Sequence, residues 1–174
     1  PSTVKVDASM AYTGKWPIAL ALLLLSAALV GGCEATSEDI ERWKRTQRGP
    51  AKITAVVVDD GYPAELRGQA AVALVEIASW EHFNTAFERL SKEQAQSVIK
   101  AMVPRLREMY ESGNGGGNTD PAQGPTDAQV NAKDAMIDLY ELAGAEERQA
   151  LLEPLQHWIS SDFNGHYLPG RRSI

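Results

Sequence analysis

The chain has 174 residues, of which 44% are hydrophobic, 23% are charged and only 7% are aromatic. This size suits one globular domain with an appendage or a short repeat array, and the alanine and leucine content favours helices over a β-sandwich or barrel. The formal net charge of −6 argues against nucleic acid as a partner, because phosphate backbones select basic proteins.

The first distinctive segment is Trp16–Cys33, a run of 18 residues without a charge. Lys15 precedes it, and its apolar core, Ile18–Val30, has 13 residues. Pro17 and the two glycines before the cysteine limit the helix to that core, which has the length of a signal peptide. An uncleaved transmembrane helix is the alternative, because the whole uncharged run reaches the length at which spanning begins.

The end of this segment resembles a bacterial lipobox, the pattern of Leu or Val, two small residues and cysteine that lipoprotein signal peptidase recognises. The matching residues are Leu29, Val30, Gly31, Gly32 and Cys33. The resemblance implies diacylglyceryl transfer to the Cys33 sulfur, cleavage before Cys33 and acylation of the new amino terminus. Three acyl chains hold a protein on a membrane far more firmly than one. We therefore expect a lipid-anchored protein of the bacterial cell envelope, on the periplasmic face of the outer membrane rather than on the inner membrane.

The lipobox divides the chain into parts. Residues 1–32 are the leader and signal peptide, with Met10 as a candidate start, and residues 33–37 are the lipid anchor and tether. Residues 38–161 are the helical domain, and 162–174 are an irregular tail or the start of a further repeat. Loss of the leader removes a net charge of +1 and leaves −7.

The helical domain begins with a helix over 38–45, for which Ser37 is the expected cap. Gly49-Pro50 separates it from residues 51–58, a β-branched run that suits a helix or a buried strand. The next segment, 63–78, favours helices, because its apolar residues form one helical stripe with polar residues opposite. The stripe consists of Leu66, Ala70, Ala73, Leu74 and Ile77.

This segment resembles the second helix of a HEAT repeat, where proline and arginine precede paired alanines and a leucine. The matching residues are Pro63, Arg67, Ala70, Ala71, Leu74 and Ile77. A shift of 65 residues aligns 71–78 with 136–143 and keeps the leucine, glutamate and alanine, which indicates a repeated unit. The second unit lacks the arginine, because Ala132 stands at that position.

The helix between these two segments also fits the repeat. Ser91 and Gln94 form a predicted capping box for a helix over 92–112, and Pro104 should interrupt its hydrogen bonding. A proline before a leucine is a feature of the first helix of HEAT repeats, and it recurs at Pro154.

The rest of the domain is a predicted flexible loop, 113–126, followed by two helices. Thr126 caps the first of them in a second capping box, and Gly144 ends it after Ala143. The second helix is predicted over 146–160.

We therefore predict an all-α fold: a short α-solenoid of about two and a half HEAT-like antiparallel helix pairs, preceded by the signal-peptide helix. A plain helical bundle is the alternative. Because the last repeat lacks its second helix, either the chain is the amino-terminal piece of a longer solenoid or its open end packs on a partner or another copy.

The sequence contains no evident catalytic or metal-binding constellation. Its histidines share no ligand spacing with one another or with Cys33, and they are His82, His157 and His166. A single cysteine cannot form an internal disulfide. Asp59-Asp60 indicates an acidic turn rather than a cation site, because few oxygen ligands lie nearby.

These features predict a protein–protein interaction or scaffold module, without enzymatic activity and with no cofactor beyond the lipid on Cys33. Its expected partners are membrane lipid and another protein. The alternatives are a ligand carrier or enzyme with a site in the inter-repeat groove, around Asp59, Asp60 and His82, and an accessory subunit of an envelope assembly. Trp80, Phe83 and Phe87 are predicted to fill the core rather than to form an exposed binding ridge.

Overall fold

The computed structural model describes residues 34–113 and 125–162. In these ranges the regular structure is helical throughout, which confirms the all-α prediction. The elements are α1 (Ser37–Trp43), α2 (Gly49–Val58), α3 (Ala64–Glu76), α4 (Trp80–Glu88), α5 (Lys92–Gly113), α6 (Asp127–Tyr140), α7 (Ala145–His157) and a π-helical turn (Trp158–Asp162). No helix of the described part of the chain is long and apolar enough to cross a membrane.

Helix α1 starts one residue earlier than predicted, because Thr36 and not Ser37 is its cap. The Thr36 hydroxyl accepts the Asp39 backbone N–H at 3.3 Å, and the Asp39 carboxylate accepts the Thr36 backbone N–H at 3.1 Å. This reciprocal pair is a capping box with an aspartate in the role that glutamate more often has. The helix ends at Trp43 and so is shorter than the predicted segment.

Segment 51–58 lies in the helix α2. The sequence alone is compatible with either a helix or a strand there. Pro50 lies in its first turn, as expected, where the missing N–H leaves no hydrogen bond unmade. Gly49 is required because a Cβ there would lie 1.7 Å from the Trp43 carbonyl oxygen. The β-branched residues Ile53, Val56 and Val57 are buried, so tertiary packing outweighs their modest helix propensity.

Helix α3 is the centre of the fold and packs against α1, α2, α4, α5 and α6. The predicted stripe residues Ala70, Ala73 and Leu74 are buried, but burial extends beyond the stripe, since every residue from Ala70 to Val75 is buried. The helix ends in a Schellman motif, in which Ser79 N–H bonds to the Leu74 carbonyl and Ala78 N–H bonds to the Val75 carbonyl. Ala78 has a left-handed φ of 52°.

Helix α4 is not predicted by the repeat pattern and lies between the two expected units. Phe83 and Phe87 point into the core, with ring centroids 4.9 Å apart, and Trp80 is half-buried. This placement confirms the core interpretation of these aromatic residues and excludes an exposed aromatic ridge.

Both predicted capping boxes are present at the starts of α5 and α6. Gln94 N–H donates to the Ser91 hydroxyl at 3.2 Å, and Gln129 N–H donates to the Thr126 hydroxyl at 3.3 Å. Pro104 lies inside α5, which continues past it to Gly113.

The end of α6 differs from the prediction. The helix stops at Tyr140, and Gly144 is the cap of α7 rather than the terminator of α6, since its backbone is extended (φ −66°, ψ 169°). Arg148 of α7 satisfies the carbonyls that α6 leaves free, with Nε 3.0 Å from the Tyr140 oxygen and Nη2 2.9 Å from the Glu141 oxygen. Helices α5, α6 and α7 pack against one another, and α3 also contacts α6.

Candidate functional site

The predicted acylation site lies outside the described residues. This applies to Leu29, Val30, Gly31, Gly32 and Cys33, and also to most of the predicted loop and tail. The lipobox therefore stays a prediction from the sequence.

The residues suggested for an inter-repeat ligand site make separate local contacts. Asp59 Oδ1 accepts the Gly61 N–H at 2.9 Å, which closes an exposed turn. His82 Nδ1 lies 3.1 Å from the Ser79 hydroxyl at the start of α4. Within residues 34–113 and 125–162 there is no cluster of three or more His, Cys, Asp or Glu side chains suited to a metal ion. These contacts explain the residues as turn and helix-start groups.

The HEAT-like arginine, Arg67, is a buried packing residue with 5% of its surface exposed. Its Nε donates to the Val57 carbonyl at 2.8 Å, so the guanidinium satisfies the carboxyl end of α2, where a cation is favourable. Its Nη2 is buried without a hydrogen-bond partner. The arginine joins α2 to α3 and does not face solvent.

A buried polar cluster on α6 is the feature that the sequence reading missed. Lys133 and Asp134 are 2% and 1% exposed, and Lys133 Nζ lies 2.8 Å from Asp134 Oδ1. The ammonium also lies 5.3 Å from the centroid of the Trp158 ring. Gln129 donates from Nε2 to the Tyr110 carbonyl at 3.2 Å. Because this cluster is closed to solvent, its contacts join α6 to its neighbours rather than form an accessible site.

Three charged groups with shifted pKa values stabilise helix ends. Burial alone would lower the pKa of Lys44, but hydrogen bonds and charge interactions with Glu41 and Glu76 outweigh it and raise that pKa. Hydrogen bonds from the Thr36 side chain and backbone lower the pKa of Asp39. Hydrogen bonds from its own backbone N–H and from the Ser91 hydroxyl lower the pKa of Glu93. All three groups lie at helix termini, away from the grooves described next.

The first groove, which we call the α5–α7 groove, has a volume of about 300 Å³. Arg107 of α5 pairs with Glu153 of α7 at 3.0 Å and with Glu111 at 3.6 Å. The Tyr110 and His157 rings meet edge to face across it, with centroids 6.4 Å apart. Its walls therefore combine one cation and two carboxylates with the Tyr110 and His157 rings.

The second groove, which we call the α4–α6 groove, has a volume of about 370 Å³. Its floor is apolar and consists of the buried residues Phe83, Phe87 and Leu139. Its remaining lining is Asn84, Glu88, Asp138 and Leu142.

Leu142 makes the α4–α6 groove accessible to an apolar partner. Its side chain is 43% exposed, and Ile159, in the π-helical turn, is the other large hydrophobic residue of the described ranges that is exposed, at 45%. Leu142 lines the α4–α6 groove, whereas Ile159 lines neither groove. The α4–α6 groove is thus the candidate functional site.

Neither the sequence nor the fold identifies a relative, since no protein-family model, curated protein or solved structure matches the chain.

Proposed function

We propose that this protein is a lipid-anchored protein–protein interaction module of the bacterial cell envelope and that the α4–α6 groove is its contact surface. The observation that carries this proposal is an exposed leucine, Leu142, beside a groove floored by Phe83, Phe87 and Leu139. Exposed apolar surface next to an apolar cleft is characteristic of protein contact sites. The proposed role is binding, without catalysis.

The helix contacts support a HEAT-like stack as the frame for this surface. The helices that carry Pro104 and Pro154, α5 and α7, contact each other, and the two helices related by the 65-residue shift, α3 and α6, also contact each other. In a solenoid of helix pairs, the first helix of each pair stacks on the first helix of the next pair, and the second helix stacks on the second. Helix α4 is an addition to that pattern, and it supplies one wall of the groove.

The lipid anchor supports the location. Only Glu34 and Ala35 separate Cys33 from Thr36, the cap of α1. Because a fully extended residue spans at most ~3.6 Å, a lipid on Cys33 would keep the helical body close to the bilayer surface.

Acylation is tested by metabolic labelling of the full chain with palmitate in a bacterial host. We expect label on the wild type, none on Cys33→Ser, and a shorter, membrane-bound wild-type product. A Cys33→Ser protein that keeps its leader and stays in the membrane at the wild-type level would favour a transmembrane anchor instead.

The contact surface is tested by co-purification from solubilised membranes, with Leu142→Ser compared with the matched variant Ile159→Ser. We expect a reproducible partner that Leu142→Ser loses and Ile159→Ser retains. A role as an accessory subunit of an envelope assembly predicts the same pattern with several partners. A monomer without a reproducible partner would contradict both versions.

A ligand carrier is the second candidate, and the α5–α7 groove is the observation that favours it. Its volume of about 300 Å³ lies at the lower end of the range for small-molecule sites, and Tyr110 and His157 could flank a planar group. Native mass spectrometry of the purified protein tests this role. A bound small molecule that His157→Ala loses would support it, and a mass equal to that of the polypeptide and its lipid would not.

A further inference from the structure

We infer that the α4–α6 groove binds a basic amphipathic helix of the partner protein: a segment with leucine-like side chains on one face and lysine or arginine beside them. This inference rests on the proposed function and specifies the chemistry of the partner. Amphipathic helices that insert one face into a groove between two helices are a recurring mode of peptide recognition.

The apolar half of the partner follows from the floor of the groove. Phe83 and Phe87 come from α4, and Leu139 comes from α6, so the floor joins the two helices. Leu142 continues this apolar surface outward into solvent. A large apolar side chain placed here would remove Leu142 from water and cover the small exposed part of Phe87.

The basic half follows from the edges of the groove. Glu88 is on the α4 side, and Asp138 is on the α6 side, so carboxylates from both helices line the groove. The cations closest in sequence do not line it: Arg89 follows Glu88 at the end of α4, and Arg148 is bound to the carbonyls of Tyr140 and Glu141. Glu88 is exposed at the α4 edge, so a lysine or arginine beside the apolar anchor is attracted from that edge.

The charge of the whole body points the same way. Without the leader, residues 33–174 have a net charge of −7. Such a surface repels acidic peptides and anionic lipid headgroups at long range and attracts a basic segment. This decides between a basic peptide and an anionic membrane as the occupant of the groove.

The test uses the full chain in detergent micelles and a fluorescein-labelled designed helix, about four turns long, with leucine at i and i+4 and lysine elsewhere. The matched control peptide has glutamate in place of every lysine. Fluorescence anisotropy should show that the basic peptide binds at least about tenfold more tightly than the acidic one. Raising the ionic strength from about 0.05 M to about 0.5 M should weaken that difference.

Variants localise the binding. Leu142→Ser should weaken the basic peptide about tenfold and Glu88→Gln about threefold, because each removes one contact that the inference requires. The control variants are Ile159→Ser and Glu65→Gln, which change an exposed apolar residue and a glutamate outside the groove. Their affinity for the basic peptide should stay within about twofold of the wild type. Both positions tested in the groove are at least partly exposed, and an unchanged melting temperature establishes that the variants are folded.

Three outcomes would overturn the inference. Equal affinity for the basic and acidic peptides would show that the groove does not select a basic helix. The proposed function would still stand if Leu142→Ser, and not Ile159→Ser, lost its partner in the co-purification. Equal losses in Leu142→Ser and Ile159→Ser would place the peptide elsewhere. Tighter peptide binding by an Arg171→Ser, Arg172→Ser variant would mean that the chain's own basic tail is the occupant.

Discussion

Helices α3 and α6 are related by the 65-residue shift, yet they are packed by opposite means. At one pair of equivalent positions α3 has Gly68 and α6 has Lys133. A Cβ on Gly68 would lie 2.6 Å from the Ala101 Cβ, so α3 and α5 meet at backbone distance. Lys133 instead reaches toward the Trp158 ring and is neutralised by Asp134. Two helices with similar sequence patterns thus pack by close contact in one case and with a buried ion pair in the other.

This difference shows that the shared sequence pattern encodes a helix but does not encode how closely that helix packs on its neighbour. The pattern predicts a helix at both places in the chain, and both helices are present. It does not determine the distance to the neighbouring helix, which depends on the size of one residue in each unit. The arginine of the first unit shows the same freedom, because Arg67 joins α2 to α3 whereas its equivalent, Ala132, is simply buried.

The largest expected effect is on the buried ion pair. Asp134→Leu leaves the Lys133 ammonium buried without this carboxylate, and we expect it to lower the free energy of unfolding by about 3–5 kcal/mol. Urea denaturation followed by circular dichroism measures this. The double variant Lys133→Met, Asp134→Leu should recover most of the loss, because it removes both charges. A double variant less stable than Asp134→Leu alone would show that the pair is not the reason for the loss.

The next effect tests the close contact of α3. Gly68→Ala should lower the free energy of unfolding by about 1–3 kcal/mol, although alanine is the better helix former, because its Cβ meets the backbone of α5. Gly61→Ala is the matched control: its Cβ would meet only the Asp59 side chain in an exposed turn, so the change should stay within about 0.5 kcal/mol. A stabilised Gly68→Ala protein would contradict the described contact between α3 and α5.

A third comparison uses the ends of the two helices, where Ala78 and Ala143 are equivalent. Ala78 has a left-handed φ of 52° in the Schellman motif. Ala78→Gly should therefore raise the free energy of unfolding by about 1 kcal/mol, because glycine has no Cβ penalty there. Ala143→Gly should lower it by about 0.5–1 kcal/mol, because Ala143 is buried and is not among the residues with positive φ. Thermal unfolding of both variants should give shifts of opposite sign.

The smallest expected effect concerns Glu76 and its equivalent, Glu141. Lys44 Nζ lies 2.6 Å from Glu76 Oε2, and this ion pair joins the end of α1 to the end of α3. Since the folded pKa of Lys44 is raised above its ordinary value of 10.5, the pair stabilises the fold fully below that pH and loses its effect as the pH rises through the folded pKa. Lys44→Met should reduce stability by up to about 1 kcal/mol at pH 8, and the difference from the wild type should shrink as the pH rises above the ordinary lysine pKa of 10.5. Glu141→Gln is the control and should change little at either pH.

The sequence predicts those parts of the fold that depend on neighbouring residues. The capping boxes at Ser91 and Thr126 and the proline in the first turn of α2 are local interactions, and each is present. Helix α4 has no such signal, because its N-cap, Ser79, makes no side-chain cap and bonds to His82 instead. It forms because Phe83 and Phe87 are buried against the rest of the domain.

The candidate site was beyond sequence reasoning for a physical reason. Its floor combines Phe87 with Leu139, which are 52 positions apart and meet only after the helices pack. The burial of Lys133 was equally hidden, since a lysine in a helix is usually solvated and only the tertiary contact with Trp158 shows otherwise. By contrast, the lipobox is a contiguous pattern and is read from the sequence alone.

The most direct test of the central claim, that the α4–α6 groove binds a protein at the membrane, is site-specific photocrosslinking in intact cells. A photoreactive amino acid replaces Leu142 in one full-length variant and Ile159 in another. We expect one discrete crosslinked product from position 142 that excess basic helical peptide suppresses in isolated membranes, and no such product from position 159. A product from position 142 that the peptide does not affect would contradict only the basic-helix inference, whereas identical patterns from the two positions would contradict the central claim.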